Sequence, residues 1–285
     1  MSARSVVVTG ASTGIGWGCA KVLTRKGFHV FGSVRKREDA ERLAKEFGPA
    51  FTPLTFDVTD PPAIKAGADQ VRQALAGRTL AGLVNNAGVA VAGPMLEIPL
   101  EEFRRQMEIN VLGVVATTQA FAPLLGADTS LQGPPGRIVN ISSVGGTSAN
   151  PFLSPYNASK FALEGLSESL RRELMLFGID VIVVGPGAVA TPIWGKASEG
   201  NDVSAYADTP YAPALNRVRA FMLSRGSKGL PPEKIGRVVL KALTLDHPKV
   251  RYTVTPEPFR NWMLNTLPKR TVDRMIGKRL GLVKA

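Results

Sequence analysis

The order of strand-like and helix-like patterns predicts a doubly wound α/β fold: one parallel sheet with helices on both faces. Three observations carry this reading. Short apolar runs alternate with helical stretches from Val6 to Pro186. A glycine-rich turn follows the first of these runs directly. The runs are apolar throughout rather than alternating with polar residues, as strands buried on both faces must be.

The elements follow in order. Val6–Thr9 reads as the first strand and residues 15–26 as a helix. His29–Val34 is a second strand, Glu38–Phe47 a second helix and Phe51–Phe56 a third strand. Residues 62–76 then read as helix, Leu80–Val84 as strand and 100–124 as one long helix. Arg137–Ile141 and Asp180–Val184 are strands on either side of a helix over 156–177. Residues 191–230 are a long, partly helical excursion, the kind of segment that serves as a functional lid. Pro231-Pro232-Glu233 opens another helix, with proline in the first turn, and Val250–Val254 is a last strand. The expected organisation is one domain over 1–255 and a C-terminal helical segment over 256–285. That segment divides into two short helices at Pro268.

Composition narrows the classes. At 285 residues, 44% hydrophobic and 20% charged, the chain is an ordinary globular one. It needs no disulfide or metal staple, since such a length buries roughly 75% of its unfolded surface. A single cysteine, Cys19, permits no internal disulfide and points to a reducing compartment. With it, His29 and His247 cannot build a zinc cluster. No apolar run reaches the ~18 residues of a spanning helix. Met1–Ser5 leads straight into the first strand, which leaves no room for a signal peptide. The expected location is therefore cytoplasmic.

The net charge is +12, and residues 249–285 carry nine Lys or Arg against Glu257 and Asp273. A basic tail suits nucleic acid, anionic membrane or an anionic ligand. No aromatic-basic RNA motif or zinc finger accompanies it, so a solvated basic face is the favoured reading and no nucleic-acid partner is expected.

The first strand runs into Thr9-Gly10-Ala11-Ser12-Thr13-Gly14-Ile15-Gly16. Glycines at 10, 14 and 16 permit a tight turn, close backbone approach and close helix packing. The free N–H groups of the following helix then face a pyrophosphate. An ordinary strand-to-helix connection has the same composition, but the strand–turn–helix context favours a dinucleotide. Val34 ends the second strand where an acid would grip the ribose of NAD, and Arg35-Lys36-Arg37 follow. An arginine there suits a 2′-phosphate, so NADP(H) is the expected cofactor.

Tyr156 and Lys160 are spaced i, i+4 and share a helix face. A neighbouring ammonium favours phenolate, so the pair is expected to lower the phenol pKa and serve as acid or base for a carbonyl/alcohol reaction. Alone, such a pair is more often a half-buried tyrosine beside a snorkelling lysine.

Together the segments say more. The glycine turn, Asn85-Asn86-Ala87-Gly88, Ser142-Ser143, Tyr156 with Lys160, and Pro186-Gly187 occur in this order, each at a strand end or on the helix that follows. The chain thereby resembles the short-chain dehydrogenase/reductase family in its compact, single-domain Rossmann form, closely over residue 5 to about 195. Its length and C-terminal extension resemble the retinol and 17-beta-hydroxysteroid dehydrogenase branch.

The resemblance assigns roles. Tyr156 is implied as the catalytic acid/base and Lys160 as its pKa-lowering partner that also holds the nicotinamide ribose. Ser143 would bind the substrate oxygen, and Asn110 would anchor a water linking the lysine to solvent. Cofactor contacts are implied for Gly10, Ser12, Thr13, Gly14, Ile15 and Gly16 in the turn. Asp57 and Val58 belong to the adenine end, and Asn86, Ala87 and Gly88 to the adenosine ribose. Pro186, Gly187, Val189 and Thr191 belong to the nicotinamide end. Arg35 is the implied phosphate reader, helped by Ser12. Thr13 stands where some NADP-preferring members carry a basic residue, which leaves dual cofactor use open. The implied chemistry is reversible transfer of the pro-S hydride, with Tyr156 protonating the nascent alkoxide.

The aromatic residues Phe152, Trp194, Tyr206, Tyr211, Phe221, Phe259 and Trp262, with Met263, predict an apolar pocket for a hydrophobic carbonyl or alcohol. The C-terminal stripe is expected to wall that pocket, in preference to lying on a membrane as a surface-associated retinoid or steroid dehydrogenase would. A non-catalytic nucleotide-binding redox sensor is the other alternative. The resemblance also implies a homo-oligomer, dimer or tetramer, paired through the helices that start near 100 and 156. Leu163, Leu166, Leu170 and Leu174 fit such a face, and core packing accounts for them equally.

Overall fold

Seven strands form one parallel sheet: β1 (Ser5–Val8), β2 (His29–Val34), β3 (Phe51–Thr55), β4 (Gly82–Asn85), β5 (Arg137–Ile141), β6 (Asp180–Pro186) and β7 (Arg251–Val254). Their order is β3-β2-β1-β4-β5-β6-β7, with every pairing parallel. The structure is a computed structural model and describes residues 4–191, 203–226 and 229–283.

Strand β1 shows why its sequence makes a central strand. Val6 and Val8 point into one apolar core and Val7 into the other, and all three are fully buried. The first core packs the sheet against α1 (Gly14–Arg25), α2 (Arg37–Phe47) and the helix Pro232–Thr244. The second packs it against α3 (Pro61–Leu75) and α5 (Gly113–Phe121). Each fully buried Val, Leu or Ile on these faces contributes about 1.5–3 kcal/mol. The alternation between cores is the physical content of a doubly wound sheet.

The long helix expected over 100–124 is not uniform. It divides into α4 (Leu100–Met107), a π-helical turn (Glu108–Leu112) and α5. The Gly113 N–H bonds the Glu108 carbonyl, five residues back. Hydrophobic periodicity does not register a single widened turn, so the sequence reads straight through it. Helix α6 (Ser154–Glu173) begins two residues before Tyr156, with Pro155 in its first turn. Leu163 and Leu174 of the stripe considered for a dimer face are core residues, and Leu170 packs on the same core as Leu174.

Beyond β6, α7 (Ala212–Gly226) and α8 (Pro232–Thr244) precede β7. Then come α9 (Pro258–Thr266) and α10 (Lys269–Leu280), separated at Pro268 as expected. Trp194 lies outside the described residues. No helix among the described residues is long and apolar enough to cross a membrane.

Candidate functional site

The strand order reverses between β1 and β4, and in such sheets ligands bind at the carboxyl ends of strands beside that switch point. Here the turn after β1 meets the turn after β4. The Asn86 amide donates to the Thr9 and Gly10 carbonyls at 2.9 and 3.1 Å. The Thr9 hydroxyl accepts from Asn86 N at 2.9 Å and Ala87 N at 3.0 Å. Gly10 and Gly14 take φ of +65° and +59°, which favour glycine. A Cβ on Gly10 would lie 2.9 Å from Ala87 Cα, and one on Gly16 would lie 2.1 Å from the Gly10 carbonyl oxygen. The first bare carbon permits close contact between the turns, and the second seats α1 against the loop.

A cavity of about 390 Å³ opens from this junction across the top of the sheet. Gly10, Ser12, Thr13, Gly14 and Ile15 line one end beside the start of α1. Arg35, Asp57 and Val58 line the wall above β2 and β3. Asn86, Ala87 and Gly88 line the middle, and Ser143, Tyr156, Lys160, Pro186, Gly187, Val189 and Thr191 the far end. Two expected site residues do not face it. Gly16 lies behind the loop, and Asn110 is buried in the π-helical turn.

The Asn110 side chain is committed to structure. Its Oδ1 accepts from Val89 N at 2.9 Å, and its Nδ2 donates to the Val89 carbonyl at 3.0 Å and to Ser159 Oγ at 3.1 Å. Asp57 anchors its own turn, accepting from Thr59 N at 3.0 Å and Thr59 Oγ1 at 2.9 Å. The N-cap of α3 is Asp60, not Asp57. Burial opposes ionisation of Asp57, but the Thr59 bonds and Arg35 outweigh it and hold the carboxyl below its ordinary range. Arg35 Nη1 lies 3.6 Å from Asp57 Oδ2 and is two-thirds exposed.

Ser143 follows β5, and its hydroxyl accepts from Gly145 N at 3.0 Å. It also hydrogen-bonds the Tyr156 phenol. Lys160 Nζ donates to the Ile141 carbonyl at 2.9 Å and lies 5.8 Å from the Tyr156 ring centroid. The expected lowering of the phenol pKa is not met. Burial raises it, and the Ser143 bond offsets that only in part. Burial also brings the Lys160 amine down to about 8, against the opposing charge of Glu164. The lysine's hydrogen bond goes to the Ile141 carbonyl.

Among the described residues, none of the aromatics expected at the pocket lines the cavity. Phe152 and Tyr206 are buried with Ala214 and Leu215 in a satellite core, and Tyr211 meets Phe152 edge-on at 6.0 Å. Phe221 lies under the guanidinium groups of Arg260 and Arg279. No described residue of 256–283 lines this cavity. Phe259 and Trp262 are exposed and lean on each other at 5.9 Å. Residues that sequence reasoning missed include Thr9 and Ser33, whose hydroxyl accepts from Gly10 N at 3.0 Å. Both are small hydroxyl residues at strand ends beside the glycine turn, which is the signal that could have found them. Arg105, on α4, also lines the cavity.

The residues present fit a dinucleotide. A bare glycine turn leads into a helix N-terminus whose first turn holds no acid, and the cavity continues from there to a hydroxyl pair. Fold and site together define a nucleotide-dependent oxidoreductase of the doubly wound class. The chain belongs to the short-chain dehydrogenase family, whose model matches residues 4–202. It is 38% identical over 278 residues to the NADPH-dependent 3-dehydrocapnine reductase of Ornithobacterium rhinotracheale, covering 97% of both chains. It is 34% identical to mouse retinol dehydrogenase 5, covering 95% of this chain and 87% of that one, which fits the branch read from its length. A short-chain dehydrogenase from Streptomyces avermitilis superposes with a TM-score of 0.76 at 31% identity, over 98% of this chain and 96% of that one.

Proposed function

We propose that this chain is an NADP(H)-dependent oxidoreductase that moves hydride between nicotinamide and a hydrophobic carbonyl or secondary alcohol, with Tyr156 as acid/base. One observation carries the reading: Ser143 and Tyr156 are hydrogen-bonded at the wall of the cavity that the glycine turn opens. The NADPH dependence in one relative's name and the retinol in another's support the cofactor and the substrate class.

In this reading Gly10, Ser12, Thr13, Gly14 and Ile15 would hold the pyrophosphate, with Gly16 seating the helix behind them. Asp57 and Val58 would hold adenine, Asn86, Ala87 and Gly88 its ribose, and Arg35 with Ser12 the 2′-phosphate. Pro186, Gly187, Val189 and Thr191 would hold the nicotinamide end. When bound, the cofactor supplies or accepts the hydride.

The protein's own part is electrostatic and acid–base. Ser143 and Tyr156 present two hydroxyls to one carbonyl oxygen, preorganised for the charge that develops there. Tyr156 gives that oxygen its proton, or takes it back in oxidation. Lys160 supplies positive charge beside the phenol. The Asn110 side chain is spent on Val89 and Ser159. Consumption of NADPH against a panel of apolar ketones and aldehydes tests the reading. Tight NADPH binding without turnover on any of them would favour the redox sensor.

A second reading concerns where the chain acts. No residue of α9 is buried, although it carries Phe259, Trp262, Met263 and Leu264. Exposed Lys269, Arg270, Arg274, Lys278 and Arg279 follow on α10. Exposed aromatics beside basic residues suit an anionic lipid surface, and cosedimentation with liposomes tests it.

A further inference from the structure

Two glycines clear space for a polar cluster beneath the Ser143 turn. A Cβ on Gly185 would lie 2.5 Å from Arg251 Nη2. One on Gly146 would lie 2.7 Å from Ser142 Oγ and 3.1 Å from Glu164 Oε1. Arg251 opens β7, paired with Val183 of β6, and its side chain occupies the cleared space.

Its contacts converge on the catalytic segments. Nε donates to Glu164 Oε2 at 3.0 Å and Nη2 to Glu164 Oε1 at 3.1 Å, a two-pronged fork. The same Nη2 donates to the Ser143 carbonyl oxygen at 3.2 Å, and Nη1 donates to the Thr253 hydroxyl. The Arg251 and Glu164 side chains are only 24% and 19% exposed. Glu164 lies one turn beyond Lys160 on α6, the helix that also carries Tyr156. One guanidinium therefore joins β7, the turn that presents Ser143, and the helix that presents Tyr156 and Lys160.

We propose that Arg251 is a positioning residue for the reaction. Its fork to Glu164 fixes the guanidinium on α6, and its bond to the Ser143 carbonyl then sets that turn against the helix. The two hydroxyls are thereby held in register. This rests on the roles given above to Ser143 and Tyr156. Neither Arg251 nor Glu164 lines the cavity, so the effect is on alignment and not on cofactor contact. Lysine cannot replace the arginine, because an ammonium lacks the planar fork that meets a carboxylate and a carbonyl together.

The test compares Arg251→Gln, Arg251→Lys and Glu164→Gln with wild type, using NADPH and a turned-over apolar carbonyl. Readouts are kcat per folded enzyme, KM, the Kd for NADPH and Tm. Arg251→Gln should lose roughly 10- to 100-fold in kcat, as misplaced reacting groups do, with the NADPH Kd unchanged. Arg251→Lys should fall nearly as far and Glu164→Gln less. The double variant Arg251→Gln/Glu164→Gln should be no worse than Arg251→Gln, because the two act as one unit. A lowered Tm with unchanged kcat overturns the proposal and leaves a structural ion pair. If Arg251→Gln does not fold, the isosteric Glu164→Gln and the charge-retaining Arg251→Lys decide by the same criteria. Tyr156→Phe is assayed alongside. Full turnover in that variant removes the underlying reading and the proposal with it. Lost turnover there beside unchanged kcat in the Arg251 variants overturns the positioning role alone.

Discussion

Lys160 on α6 donates its ammonium to the carbonyl oxygen of Ile141, the last residue of β5, at 2.9 Å. The bond ties the helix that carries Tyr156 to the strand that leads into Ser142 and Ser143. Burial of the neighbouring phenol raises its pKa, and the Ser143 bond opposes that in part.

The first prediction follows for Tyr156. Tyr156→Phe keeps the ring and removes the transferable proton. We expect NADPH binding to persist in a fluorescence titration while kcat falls more than tenfold, at least ~1.4 kcal/mol of barrier. A smaller loss would show that the phenol is not the acid.

Lys160 carries a pH signature in stability. Burial lowers its pKa from an ordinary 10.5 to about 8. Between these values the native chain binds fewer protons than the unfolded chain, so stability from this group rises with pH across that window. It is lost as pH falls from 10.5 through about 8, below which the full cost of burying the charge applies. Melting curves of wild type and Lys160→Met should therefore converge in favour of wild type between neutral pH and about pH 10. Parallel curves would contradict the burial of a charged amine.

The proposed preference for NADPH rests on Arg35 at the cavity wall. NADPH should exceed NADH in kcat/KM. Val34→Asp with Arg35→Ile adds a ribose acceptor, removes the phosphate partner and should invert the ratio. A wild type that prefers NADH would eliminate the Arg35 assignment.

A buried polar network between β4, β5 and the helices predicts a stability effect. Asn85 Nδ2 donates to Asn140 Oδ1 at 2.9 Å, and Asn140 Nδ2 donates to Ser167 Oγ at 2.9 Å. Asn140→Ala removes a partner from both. Asn85 Nδ2 keeps its bond to Thr118 Oγ1 and Ser167 Oγ its bond to the Leu163 carbonyl, so the loss is of two buried hydrogen bonds at about 0.5–1.5 kcal/mol each, and the urea midpoint should fall while the NADPH Kd stays the same. An unchanged midpoint would mean that the network contributes nothing net.

The exposed pair on α9 makes the last prediction. Phe259→Ser with Trp262→Ser should leave kcat and Tm near wild type, because neither residue is buried or faces the cavity. Cosedimentation with anionic liposomes should drop. If wild type does not sediment with such vesicles, the lipid-surface reading fails.

The sequence by itself determined the order of elements, the doubly wound class and most of the residues that ring the cavity. Those signals are local. Glycine spacing sets which turns are sterically open, uninterrupted apolar runs mark doubly buried strands, and an i, i+4 pair shares a helix face wherever the helix packs. The tertiary structure decided what depends on partners distant in sequence. Asn110 spends its amide on Val89 and Ser159. Phe152 and Tyr206 are buried in a satellite core instead of lining the cavity. The π-helical turn at Glu108–Leu112 leaves no mark in hydrophobic periodicity. Arg251 reaches the Ser143 carbonyl across 108 residues of chain. Burial and hydrogen-bond partnership also decided the sign of the Tyr156 shift. Desolvation depends on which elements close over a group, and no local spacing encodes that.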